Sequence, residues 1–322
     1  VVRSLLIAIG GNSLIRFGEP GTIAAQFANA RRICEQIADL VEEGYHVVVT
    51  HGNGPQVGAQ LLRSEAAADQ AYPVPLEVCV AMTQGEIGYI LQTTLQSVFT
   101  KRKISTPIAS LVSRVLVNHG DVEFRHPTKP IGPFYTKQAA LQKSAALGWT
   151  VVEDASRGYR RVVPSPLPCA ILDLEAIRKC LDSGMTVITL GGGGIPVVAM
   201  NGAMTGVEAV VDKDRASGLL ARQLHVQRMI ISTDVEFVYL NFSRSGQTPI
   251  HVMDTELAAK LRHENHFFEG SMKPKIEAAM DFLEAGGEEV IITDPEHLHA
   301  AVEGSGGTHI FRDLQLEHIP LR

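Results

Sequence analysis

Three times along this chain a short apolar run ends abruptly in clustered glycines, and that repetition limits the possible folds more than any other feature. At 47–58 the sequence reads Val-Val-Val-Thr-His-Gly-Asn-Gly-Pro-Gln-Val-Gly. The β-branched run predicts a buried strand, and Gly52, Asn53 and Gly54 predict a turn free to adopt positive φ. Pro55 suits the first turn of a helix, where its missing N–H is no loss. A strand leading through a glycine turn into a helix start aims several backbone N–H groups at one point, and the helix dipole favours an anion there. The same construction is predicted at 5–13, where Leu-Leu-Ile-Ala-Ile meets Gly10, Gly11, Asn12 and Ser13. A third copy is predicted at 186–196, around Gly191, Gly192, Gly193 and Gly194. Any α/β protein has one such turn; three together point to a phosphate-handling site.

The rest of the pattern alternates. Phe27, Ala30, Ile33, Ile37, Leu40 and Val41 recur at helical spacing, and Gly44 is placed to stop that helix. Residues 5–58 therefore predict a βαβ unit with parallel strands and a right-handed crossover. Further helices are predicted at 59–68, 76–99, 136–147, 212–224, 254–261, 271–283 and 295–302, with another running from Asp173, as N-cap, to Ser183. Strands are expected at 108–117, 228–233, 289–293 and 308–311. Residues 119–168 break the rhythm and predict an inserted lid. Its parts are a proline-punctuated loop at 126–133 carrying Lys129, a helix capped by Thr136 and stopped by Gly148, and a hairpin of 150–153 and 160–163 around Arg157 and Gly158. Gly85 and Gly88, inside the 76–99 helix, predict either plain packing or close backbone approach at a dimer contact or beneath the site. Strand–helix alternation predicts a mainly parallel sheet covered on both faces, with ligands at the carboxyl ends of its strands.

Composition removes several functions. A net charge of -6 offers no basic surface for nucleic acid. No apolar run approaches the roughly 20 residues of a membrane span. The first nine residues are too short for a secretory apolar region, so a cytoplasmic location is expected. Cys34, Cys79, Cys169 and Cys180 lie far apart without a C-x-x-C pair and are read as reduced thiols. The 12 histidines show no ligand spacing, so no protein-ligated transition metal is expected.

Besides the glycines, lysines carry the chemistry. Lys129 is flanked by the lid prolines, Lys213 sits in Val-Asp-Lys-Asp, and Lys275 ends Gly-Ser-Met-Lys-Pro-Lys. Phosphoryl transfer between anions is limited mainly by charge and positioning, which cations and backbone donors supply. Asp212 and Asp214 either fix the lysine head groups or cap a helix. There is no G-x-x-x-x-G-K-[ST] motif and no G-x-G-x-x-G with an H-R-D partner, so the phosphate site is of another type.

The motifs in order are specific: Ile-Gly-Gly-Asn-Ser at 9–13, Thr-His-Gly-Asn-Gly-Pro-Gln-Val-Gly at 50–58, Ala-Met-Thr-Gln-Gly-Glu-Ile-Gly-Tyr at 81–89 and Lys-Pro-Ile-Gly-Pro-Phe-Tyr at 129–135. Arg-Arg-Val-Val-Pro-Ser-Pro at 160–166, Gly-Gly-Gly-Gly-Ile-Pro-Val at 191–197, Gly-Val-Glu-Ala-Val-Val-Asp-Lys-Asp at 206–214 and Gly-Ser-Met-x-Pro-Lys at 270–275 complete the set. Over nearly its whole length the chain resembles the carbamate kinases of the amino acid kinase family. The resemblance implies an open αβα sandwich with a small protruding subdomain, assembled as a homodimer. It implies a lobe at 1–185 for carbamate or carbamoyl phosphate, containing the insertion at about 119–168, and a lobe at 186–322 for ATP/ADP. Lys129 would bind the acceptor, Lys213 and Lys275 would bridge the moving phosphoryl group and the nucleotide phosphates, and Asp214 would hold both. Gly10, Gly11, Asn12, Gly52, Asn53 and Gly54 would supply donors, with Gly192, Gly193, Thr233, Asp234, Tyr239 and Met272 on the nucleotide side. Mg2+ would ride chiefly on nucleotide phosphates and water, without a carboxylate cage. Many members of the wider family have a lysine on the first strand, within which this chain has Ala8, and Lys273 stands where the pattern calls for a small residue, usually glycine. Two other readings stay open at this stage: a different small carboxylate or phosphonate acceptor, selected around Lys129, and a nucleotide-binding regulator without turnover.

Overall fold

A computed structural model describes residues 3–16, 18–153, 158–268 and 270–314. Its centre is an eight-stranded sheet in the order Val252–Asp254, Thr308–Phe311, Glu289–Thr293, Arg228–Ser232, Ser4–Ile9, His46–His51, Thr186–Ile188 and Ile108–Ser110. Neighbours run parallel except Glu289–Thr293 beside Thr308–Phe311. Residues 5–9 and 47–51 are buried throughout, because side chains of alternate residues enter two different cores. Leu5, Ile7 and Ile9 pack with Ile33, Ile37 and Leu91 under helices Ile23–Glu42 and Leu76–Arg102. Leu6 and Ala8 pack with Leu220 and Met280 under helices Lys213–Leu224 and Met272–Glu284. This is the expected sandwich of helices around a mainly parallel sheet. Thr22, which the apolar spacing did not single out, caps the first helix by accepting from Ala25 N at 3.2 Å.

The insertion forms a three-stranded antiparallel sheet, ordered Lys129–Tyr135, Tyr159–Val163, Thr150–Glu153, with helix Lys137–Leu147 packed on it. The expected loop at 126–133 thus proves to be mostly an edge strand. Prolines are tolerated there because only one side needs a ladder, and the register slips between Ile131 and Tyr135, where Gly132 has φ +69. Of the expected hairpin turn, Gly158 has φ +125, while Arg157 lies outside the described residues.

Other expectations need correction. The single strand at 108–117 is two, Ile108–Ser110 in the main sheet and Arg114–Val117 in a second, four-stranded sheet with Pro168–Ile171, Ile195–Met200 and Ala203–Gly206. Between them the Gln84 side chain takes over the ladder, accepting from Ser113 N at 2.9 Å and donating to its carbonyl at 3.1 Å. The third glycine turn feeds strand Ile195–Met200 and not a helix, and the first feeds only a 3-10 turn, Gly11–Ser13. Asp173 occupies an N-cap position, but its carboxylate turns away to accept from the Arg114 backbone N at 2.7 Å and to pair with its guanidinium. The last helix is shorter than expected, Leu298–Val302. A short hairpin, Val238–Leu240 with Thr248–Ile250, was not foreseen.

Candidate active site

The carboxyl ends of strands Ser4–Ile9, His46–His51 and Arg228–Ser232 open into a cavity of about 320 Å3. Gly10, Gly11, Asn12, Gly52, Asn53 and Gly54 line it, as do Lys129, Gly192, Lys213, Asp214, Thr233, Asp234 and Lys275. Helices Gly54–Ala66, Lys213–Leu224 and Met272–Glu284 all begin at or beside this cleft, so their dipoles add to its positive potential, although Asp212 already takes the first-turn N–H groups of Asp214 and Arg215.

Residues scattered in sequence meet here. The Lys213 ammonium lies 2.5 Å from Asp214 Oδ1, and the Lys275 ammonium lies 3.0 Å from Asp214 Oδ2 and 3.2 Å from the Ser271 carbonyl. One buried carboxylate thus holds two cations, one on each oxygen. Burial opposes ionisation of Asp214, yet Lys213 and Lys275 outweigh it and hold this carboxyl well below the usual range. Burial lowers the pKa of Lys213, with Asp214 opposing and Lys275 reinforcing that shift. Burial also works against Lys275, but Asp214 prevails and its pKa is raised.

Lys129 reaches in from the subdomain and pairs with Asp212 Oδ2 at 3.0 Å. The other Asp212 oxygen accepts from Asp214 N at 2.9 Å, so Asp212 caps the helix and anchors a lysine at once. Its partnership with Lys129 lies 83 residues away and has no signature in the sequence. Asn12 Nδ2 donates to Asp234 Oδ2 at 3.1 Å, joining the first turn to the loop after Ser232.

The glycine turns approach one another without side chains between them. A Cβ at Gly52 would fall 2.7 Å from Gly11 N. Gly192 sits against the Asn53 side chain, which in turn donates to Thr83 Oγ1 at 2.8 Å. Gly193, with φ +86, packs against the Val211 carbonyl and does not line the cleft. Gln84 donates to the Gly191 carbonyl at 2.9 Å. The 81–89 motif therefore lies beneath the site through Thr83 and Gln84. Its Gly88 permits close approach of the Ser110 side chain, whereas Gly85 borders open space. His51, fully buried under the turns, is held neutral: desolvation lowers its pKa to about 4, despite a bond to the Gly52 carbonyl.

Tyr239 and Met272 do not line this cleft. They line an adjoining apolar cavity of about 220 Å3 with Phe237, Phe242, Phe267 and Phe268, and Thr233, Asp234 and Ser271 form the border between the two. Sequence reasoning reached Tyr239 but not Phe237, Phe242, Phe267 and Phe268, whose clustering around it is the signal that marks the slot. Among the described residues no group of three His, Cys, Asp or Glu side chains is placed to hold a metal.

A charged polar cleft at the carboxyl ends of parallel strands, continuous with an aromatic slot, is the construction of a nucleotide-dependent phosphate-handling protein. The chain belongs to the amino acid kinase family, whose model matches residues 3–294. Within that family it is similar to the carbamate kinase of Thermococcus kodakarensis, 41% identical over 316 residues, which span 97% of this chain and 100% of that one. It is 43% identical over 313 residues to the carbamate kinase-like protein YahI of Escherichia coli, covering 96% and 98% of the two chains. The structure of carbamate kinase from Giardia lamblia bound to AMP-PNP superimposes with a TM-score of 0.91 at 38% identity, covering 97% of this chain and 99% of that one.

Proposed function

We propose that this protein is a carbamate kinase, transferring a phosphoryl group reversibly between ATP and carbamate. The observation that carries this reading is the shared carboxylate of Asp214, which sets two ammonium groups side by side in a small, glycine-walled cleft. In the direction of ATP use, a carbamate oxygen attacks Pγ, a new O–P bond forms, the bond from Pγ to the bridging oxygen breaks, and ADP leaves. Carbamate is already an anion, so no base is required, and neutral His51 has no proton transfer to perform. Lys213 and Lys275 neutralise charge on the migrating group and the nucleotide phosphates. Lys129, released from Asp212, binds the carbamate or carbamoyl phosphate, and N–H groups of Gly10, Gly11, Asn12, Gly52, Asn53 and Gly54 orient it.

The nucleotide base occupies the aromatic slot beside Tyr239 and Met272, with Thr233 and Asp234 at its mouth; Gly192 lines the cleft, and Gly193 behind it lets that turn pack against the Val211 carbonyl. The lobe at 1–185 thus serves the acceptor and the lobe at 186–322 the nucleotide, on one continuous sheet. Both oxygens of Asp214 and of Asp212 are engaged, which leaves Asp234 as the cleft carboxylate for Mg2+, an arrangement that fits an ion carried on nucleotide phosphates. Bound there, Mg2+ would supply further neutralisation of the phosphate charge.

Val78, Met82 and Tyr89 lie exposed along one face of helix Leu76–Arg102, and this apolar strip supports a homodimer. Among the described residues no helix is long and apolar enough to cross a membrane, and the four cysteines are free, which supports a cytoplasmic enzyme. The test is ATP formation from ADP and carbamoyl phosphate by purified, folded protein. Turnover is expected; its absence overturns the assignment.

A further inference from the structure

Helices Lys213–Leu224 and Met272–Glu284 carry the phosphoryl-binding lysines in their first turns, and two ties join them. The first is Asp214 to Lys275, inside the cleft. The second is Arg215 Nη2 to Glu277 Oε2 at 2.9 Å, made by the residue after Asp214 and the residue two past Lys275. Successive helix residues point about 100° apart, so this second tie leaves the cleft. Arg215 and Glu277 line a separate cavity of about 330 Å3 on the outer side of the helix pair. One turn further along, Gly218 lies against Ala278, where an added Cβ would come within 3.3 Å of its carbonyl oxygen, so the helices touch without a spacer.

We propose that Arg215 and Glu277 form a positioning pair that fixes the spacing between the Lys213 and Lys275 ammonium groups across the transferring phosphoryl. The proposal rests on the phosphotransferase reading above. When a phosphoryl group enters, both lysines turn part of their charge toward it, and the Asp214 tie weakens at the moment when spacing matters most. A link made by groups that touch no substrate keeps its strength throughout. The Gly218–Ala278 contact acts as the fulcrum, so the strut restrains rotation of one first turn against the other. Misplacement of a catalytic group by about 1 Å lowers turnover by about 100-fold, which sets the scale of what the strut protects.

The experiment compares Arg215→Ala, Glu277→Ala and the exchanged pair Arg215→Glu/Glu277→Arg with the unaltered protein in the ATP-forming assay, alongside thermal midpoints. Each single change is expected to lower kcat roughly 5- to 30-fold with KM for ADP little altered, the signature of an interaction that matters at the transition state. Thermal midpoints should move less than kcat, since a single partly exposed ion pair adds little stability. The exchanged pair should return kcat to within about threefold of the unaltered protein, which a role in bulk packing would not produce. Unchanged kcat in both single variants, or an exchanged pair no better than either, overturns the proposal. Turnover by the unaltered protein is a separate result, so failure of the kinase reading and failure of the strut are distinguishable.

Discussion

Asp214→Asn removes one charge from the centre of the site while nearly preserving shape. In the native protein the Lys213 and Lys275 ammonium groups lie 2.5 and 3.0 Å from separate oxygens of this carboxylate. Two ammonium groups so placed are roughly 5 Å apart, and at an effective dielectric of about 20 their repulsion is about 3 kcal/mol, enough to move an ammonium pKa by about two. With the carboxylate gone that repulsion is uncompensated. Lys213 gives way first, because burial and Lys275 already lower its pKa. The variant should lose about 10²- to 10³-fold in kcat, the scale of losing one charge-stabilising group. The alkaline limb of its kcat/KM profile should also move to lower pH. Coupled ATP formation from ADP and carbamoyl phosphate across a pH series reads both quantities, and circular dichroism checks the fold. Turnover within about threefold of the native protein with an unmoved limb would refute the idea that Asp214 keeps both cations charged.

Lys129→Ala should raise KM for carbamoyl phosphate about 10- to 100-fold with a smaller change in kcat, since Asp212 still caps its helix; an unchanged KM removes Lys129 from acceptor binding. Gly52→Ala should cut kcat by about 100-fold, because the new Cβ would meet Gly11 N at 2.7 Å and push two turns apart; near-native kinetics would show that their spacing is not critical. In the native protein the cationic form of Lys213 is lost as pH rises through a pKa lying below that of an ordinary lysine. Bound phosphates favour the cation, so the alkaline limb of kcat should sit at higher pH than that of kcat/KM, and coincident limbs would count against this assignment. The native protein should be the proposed dimer by light scattering and Met82→Asp a monomer; a monomeric native protein would refute the dimer, and an unchanged dimer mass in the variant would place the interface elsewhere.

Much of this architecture was legible because its signals are local. Leu5, Leu6, Ile7, Ala8 and Ile9 are apolar on both faces and precede glycine, so the strand and its turn declare themselves. Lys213 and Lys275 stood out through their acidic and proline surroundings, and the sandwich follows from alternation. What escaped was long-range. The Lys129–Asp212 pair joins residues 83 positions apart, and Gln84 stitches Ser113 to Gly191 through a side-chain amide that resembles any helical glutamine. The Ile108–Ser110 and Arg114–Val117 strands read as one, because only Ser110, Ser113 and Arg114 interrupt an otherwise apolar run at 108–117, with no glycine or proline between them. Lys129–Tyr135 was hidden by its prolines, which forbid a central strand but not an edge. Arg215 and Glu277 lie 62 residues apart with nothing in the sequence to pair them, and only the packing of two helices brings them together.

The central claim is that Lys213 and Lys275 flank the phosphoryl group in transit. A crystal structure with a non-hydrolysable ATP analogue tests it most directly. The account predicts γ-phosphate oxygens within about 3 Å of both ammonium nitrogens, and the base in the slot beside Tyr239. A nucleotide seated elsewhere, or a γ-phosphate reached by neither lysine, would contradict it.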